Sequence, residues 1–173
     1  MSLNPSQVVN NIKRSFNAYI ADAVAPADVN FDQDPFDTES ISSWYAVRYT
    51  GYSPEPTGMG DLIEDSSETR GKIHAVKCEV SAWCKNDSQR GALGSMADIL
   101  MSSCEAASIT LYDYADPEDP VASGTIGLYP SRGTFTPVWG GAGSVWKTSS
   151  DAQSGAGIVG FVMELELKTI TEV

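Results

Sequence analysis

Basic residues are scarce in this sequence. Eleven Lys and Arg stand against 23 Asp and Glu in 173 residues, for a formal net charge of −12. Proteins that hold nucleic acid by its phosphates need clustered Lys and Arg, so the balance weighs against that class. It also weighs against a polybasic membrane-surface protein. No apolar run approaches the ~18 residues of a membrane span. The opening Met1-Ser2-Leu3-Asn4-Pro5 lacks the charged and apolar regions of a signal peptide. The expectation is a soluble protein made in a cytoplasm.

Cysteine and histidine are scarce too, at three and one. Cys78 and Cys84 fall in one strand-like stretch, about 20 Å apart along it, too far for a bridge. Their spacing fails the CxxC pattern of zinc sites. A reactive thiol or metal ligand is the alternative to the reading adopted, three small buried hydrophobes in a reducing compartment. His74 could serve as a general base only beside an oriented nucleophile or acid, and none is visible. It reads as an ordinary strand histidine. No GxSxG, HExxH, Walker loop or strand-following GxGxxG occurs. Gly140-Gly141-Ala142-Gly143-Ser144 lacks the Lys and helix of a phosphate cradle and reads as flexible loop. Asp32, Asp34 and Asp37 resemble the start of a calcium loop, but Pro35 and Phe36 break the pattern. Asp113, Asp116, Glu118 and Asp119 could gather a cation or form paired carboxylates. Both groups read as solvated acidic turns.

What is present is hydrophobic patterning. The 42% apolar content suits a folded chain, and the length points to one domain spanning 1–173. Residues 4–24 form a predicted helix, capped by Asn4 with Pro5 at its first position. Val8, Val9, Ile12, Phe16, Tyr19, Ile20 and Ala23 make its apolar stripe, with Lys13, Arg14 and Asn17 on the other side. Val29 and Phe31 begin a short strand-like piece. Trp44–Tyr52 reads as a strand, and 53–70 as a loop or hairpin tip. Lys72–Lys85 is the clearest strand. Val76, Cys78, Val80, Ala82 and Cys84 face a core, and the opposite face is mostly polar apart from Trp83.

A second helix spans about 88–107, with a stripe of Leu93, Met96, Ala97, Leu100 and Cys104. Strands are predicted at 108–114, 121–129 and 158–170. The acidic turn Asp116-Pro117-Glu118-Asp119-Pro120 separates the first two. Residues 130–157 are long for a connection and read as a loop or extended hairpin arm. The fold class is α+β, a mainly antiparallel sheet with two helices packed on one face.

Interaction is the remaining function class. The loops 28–39 and 55–68 each hold five acids and no base. Trp83, Trp139 and Trp146 are of the residue type that anchors interfaces, and they are the expected subunit contacts.

This order of elements resembles the tail terminator proteins of long-tailed bacteriophages, also called tail completion or head–tail joining proteins. The features that carry the resemblance run along most of the chain. They are the helix 4–24 followed by Val29-Asn30-Phe31-Asp32, and the aromatic strand Trp44–Tyr52 with its Pro- and acid-rich loop. Next come the strand His74–Cys84 running into the second helix, then Leu111-Tyr112-Asp113-Tyr114. The closing strand with Phe161-Val162-Met163-Glu164-Leu165-Glu166-Leu167 completes them.

The resemblance implies a virion structural protein, assembled in a bacterial cytoplasm as a homohexameric ring. Such a ring sits on the head-proximal end of the tail tube, ends tube polymerisation and meets the head connector. It implies no catalysis, no cofactor, no metal and no membrane, with tail tube protein and connector as partners. Genomic DNA passes through such a ring without being held. Acids facing the lumen would repel its phosphates. The expected lumen residues are Asp32, Asp34, Asp37, Asp61, Glu64, Asp65, Asp113, Asp116, Glu118 and Asp119. The alternatives are another tail or neck component such as a tube protein, a small ligand-binding domain or enzyme using His74, and an acidic nucleic-acid mimic.

Overall fold

The helix stripe of residues 8–24 can bury only against another apolar surface, and the alternating strands supply one. The computed structural model describes residues 5–27, 29–31, 42–56, 71–84, 90–138 and 158–172. In chain order these are α1 (Pro5–Val24), β1 (Val29–Phe31), β2 (Ser43–Pro56), β3 (Gly71–Cys84), α2 (Arg90–Cys104), β4 (Ser108–Asp113), β5 (Val121–Val138) and β6 (Ile158–Glu172). The strands form one sheet in the order β1-β2-β3-β6-β5-β4. Every pairing is antiparallel except β1 with β2. The class is α+β.

Both helices pack on the same sheet face. Val8, Ile12, Phe16, Ile20 and Val24 of α1 recur every fourth residue, the spacing of one helix face. Ala23, placed in the stripe by the sequence, is exposed, and Val24 is buried instead. All five expected stripe residues of α2, Leu93, Met96, Ala97, Leu100 and Cys104, are buried. Under the helices the core-facing residues of β3 and β6 stand opposite one another: Val76 with Leu167, Cys78 with Leu165, Val80 with Met163, Ala82 with Phe161. Tyr45 and Val47 of β2, Ile109 and Leu111 of β4, and Ile126 and Leu128 of β5 complete the core. Each large apolar side chain buried there contributes roughly 1.5–3 kcal/mol. Cys78, Cys84 and Cys104 are buried and unbridged.

The strands run further than periodicity indicates. Residues 53–56, expected in a loop or hairpin tip, continue β2 beyond a bulge between Tyr49 and Gly51. Residues 130–138, expected in a loop or arm, continue β5 and pair with β6 beyond a bulge between Pro130 and Gly133. In both places an extra residue restores the register after an irregularity that reads as a strand end. The connection 139–157 lies outside the described residues.

Helix α1 also closes a sheet edge. β4 is the last strand, and its outward N–H groups would otherwise be open to another strand. Ser15 Oγ accepts from Tyr112 N–H at 2.9 Å, and Asn11 Oδ1 accepts from Tyr114 N–H just beyond the strand at 3.2 Å. Asn11 Nδ2 donates to Asp113 Oδ1 at 3.1 Å. Lys13 and Arg14, off the apolar stripe, lie over the rings of Tyr49 and Tyr114, at 4.8 and 4.4 Å from the centroids. Tyr19 Oη donates to the Ser103 carbonyl at 2.7 Å and ties α1 to α2.

Candidate functional site

Strand alternation gives the sheet a second face, turned away from the helices. Its two ends and its middle differ. At one end Trp44 and Ala46 of β2 stand opposite Trp83 and Ser81 of β3, and all four are buried. Trp83 Nε1 donates to Ser81 Oγ at 2.8 Å. The indole lies against Gly160, its partner on β6. Trp83 was expected to stand out from a polar face as a subunit contact. It is only 4% exposed, and Gly160, which has no side chain to obstruct it, makes the room.

The middle of this face is charged and open. Register places Arg48 opposite Glu79, Glu79 opposite Glu164, Lys77 opposite Glu166, and Glu166 opposite Tyr129. Thr50, Lys77, Tyr129, Ser131, Glu164 and Glu166 line a groove of about 410 Å³. Lys168 pairs with Glu166 at 3.6 Å and lies 5.6 Å from the centre of the Tyr129 ring. Ser131 Oγ donates to the Glu164 carbonyl at 2.9 Å beside the β5 bulge. Burial pushes the Glu79 carboxyl above its ordinary value; Arg48 opposes the shift and Glu164 adds to it. Towards the far end Tyr129 is 57% and Ile170 62% exposed.

His74 lies on the helix-bearing face and is buried. Its Nδ1 shares a hydrogen bond of 2.9 Å with Tyr52 Oη, and the two rings stack with centroids 6.0 Å apart. The directly opposing residue, Thr169, donates its hydroxyl to the Thr125 carbonyl at 2.8 Å.

The chain matches no protein-family model, and no curated protein matches it.

Of the acids singled out in the sequence, Asp113, Asp116, Glu118 and Asp119 sit together in the turn between β4 and β5. Asp113 Oδ1 accepts from Ala115 N–H at 3.1 Å, and Asp116 Oδ1 accepts from Glu118 N–H at 3.0 Å. Two of the four carboxylates therefore build the turn through their own backbone, as Asp does in tight turns. Asp116, Glu118 and Asp119 are exposed. No group of three or more metal-ligating side chains gathers among the described residues. Asp32, Asp34, Asp37, Asp61, Glu64, Asp65, Trp139 and Trp146 lie outside them.

Sequence reasoning did not find the groove. Its residues come from four strands, and only the register of those strands assembles them. The signal available in advance was the polar alternation of Lys77 and Glu79 on β3, and of Glu164, Glu166 and Lys168 on β6.

Proposed function

We propose that this chain is a structural protein of a long phage tail, of the terminator type. Copies form a ring on the head-proximal end of the tube, stop its growth and present a surface to the head connector. The observation that carries the reading is the architecture. A helix, a short strand, two long strands, a second helix and a closing set of strands build one sheet with both helices on one face. That order is the one on which the resemblance rests. The other sheet face is open and charged in its middle and carries exposed Tyr129 and Ile170 towards one end. The turn 113–119 adds a compact negative patch, which would repel DNA phosphates from a lumen.

Native mass spectrometry over a range of concentrations tests this. The expected species is a closed hexamer of six 18.5 kDa chains, about 111 kDa in all. Open-ended growth indicates a tube protein instead. A strict dimer at every concentration overturns the tail reading. A monomer moves the question to growing tubes, where the chain must arrest elongation or the reading fails. Asp116→Asn, Glu118→Gln and Asp119→Asn combined should leave rings intact and slow DNA passage, if the turn faces the lumen.

A further inference from the structure

We infer that the groove on the open sheet face is a binding site for a neutral sugar, a pyranose that stacks on Tyr129 and is held at its hydroxyls by Glu166, Lys168 and Lys77. The inference goes beyond the assembly reading and does not depend on it.

The aromatic part is built by one strand. Gly127 and Tyr129 are two residues apart on β5 and share a face. The Tyr129 ring folds back along the strand over Gly127. A Cβ placed on that glycine would come within 2.9 Å of Cε2 and 3.1 Å of Oη. The missing side chain lets the ring lie along the backbone, and the residue is still 57% exposed. An exposed, flat aromatic ring is a surface on which the C–H face of a pyranose packs.

The polar part stands beside it in register. Lys77 is opposite Glu166, and Glu166 is opposite Tyr129. Lys168, opposite Gly127, lies 5.6 Å from the ring centre. Its ammonium is 3.6 Å from Glu166, longer than a good hydrogen bond, so both groups keep capacity for a ligand. A carboxylate only accepts and an ammonium only donates. Adjacent hydroxyls of a sugar do both, and so can bridge the pair. Thr50 and Ser131 add hydroxyls from the outer strands of the groove.

Charge and size select the ligand. Lys77 and Lys168 balance Glu164 and Glu166, so the groove is locally neutral on a chain of net charge −12. It offers no net attraction to an anion or a cation, and affinity must come from stacking and hydrogen bonds. Its volume of about 410 Å³ lies within the ~300–1,000 Å³ of small-molecule sites. A neutral, polyhydroxylated ligand meets both conditions.

Saturation-transfer NMR on the full chain tests this. The probes are methyl β-glucoside, methyl β-galactoside and lactose at millimolar concentration, with triglycine as a peptide control. Transfer is expected to the C–H protons of at least one sugar and not to triglycine. Tyr129→Thr puts a strand-forming residue at an exposed position and should keep the wild-type melting temperature. It should weaken sugar binding by about tenfold or more, while Tyr129→Phe binds within about twofold of wild type. Glu166→Ala should also weaken binding by about tenfold, and it carries the decision if Tyr129→Thr fails to fold. Absence of transfer to all three sugars overturns the inference. Binding that survives both Tyr129→Thr and Glu166→Ala puts the sugar elsewhere and overturns it too. Triglycine bound in place of the sugars makes the groove a peptide site and has the same consequence.

Discussion

Gly160 faces Trp83 across the β3–β6 ladder, and a Cβ placed on Gly160 would come within 2.4 Å of the indole ring. The glycine is there for space: its missing side chain is the cavity that the tryptophan fills. Gly133 stands in the same relation to Phe161, also at 2.4 Å. Gly160→Ala should therefore displace a fully packed indole and destabilise the fold by about 1–3 kcal/mol. Urea unfolding checks this, with loss of near-ultraviolet signal from the tryptophans as a second readout. An unchanged midpoint would show that Trp83 can move without cost.

The cap on β4 gives a second prediction. Ser15→Ala leaves Tyr112 N–H without its acceptor, and Asn11→Ala does the same for Tyr114 N–H. Each should cost about 1–3 kcal/mol where the freed group stays dry. The two sites share one seam, so their effects should not add. Hydrogen exchange should show faster exchange at 112 and 114 before any change elsewhere.

The thiols give a third. Burial raises all three, with Cys104 pushed up to about 12 from an ordinary 9.0. Cys78 and Cys84 shift in the same direction, Cys78 further than Cys104. A thiol-specific reagent at pH 8 should label none of them in the folded chain and all three after unfolding. The raised folded value also sets the sign of a pH effect. Below pH 9 the thiols are protonated in both states, and their contribution to stability is fully present. As the pH rises from 9 towards 12 the unfolded chain loses protons first, and stability falls. Cys104→Ala should make that alkaline decline shallower. Cys78 and Cys84, with Tyr19 and Tyr45, also raised by burial, supply the slope that remains.

Glu79 gives the fourth. Its carboxyl is raised by burial and by Glu164, against the pull of Arg48, so folding favours its protonated form. That contribution is full below pH 4.5 and is lost as the pH rises through the folded value. Glu79→Gln should therefore melt higher than the parent at pH 7, by roughly 0.5 kcal/mol for the like-charge pair relieved. The gain should vanish below pH 4. Paired thermal melts at the two pH values decide it.

Much of the fold is legible where periodicity meets burial. The stripe of α1 and the alternation of Val76 to Cys84 named their core residues in advance, because one-sided burial imposes a period that composition records. The ends of β2 and β5 were not legible. Pro54, Pro130 and Gly133 read as strand breakers, while the bulges that accommodate the irregularities at Gly51 and Gly133 depend on the neighbouring strand. The same limit hid the groove. Lys77 is 89 residues from Glu166, and only pairing makes them neighbours. The burial of Trp83 is hidden from the sequence for a related cause: its environment depends on a glycine 77 positions away. The acidic turn was legible because the hydrogen bonds that shape it, Ala115 N–H to Asp113 and Glu118 N–H to Asp116, are local.

The α1–β4 seam also has a consequence in time. Asn11 and Asp113 are 102 residues apart, and Ser15 and Tyr112 are 97 apart. During synthesis the helix emerges long before the strand it caps. At ribosomal rates of about 5–20 residues per second, its greasy side waits several seconds for company. The nascent chain is then a ready client for chaperones that grip apolar stripes. Crowded expression should yield more soluble protein when translation is fast relative to aggregation than when it stalls before residue 108.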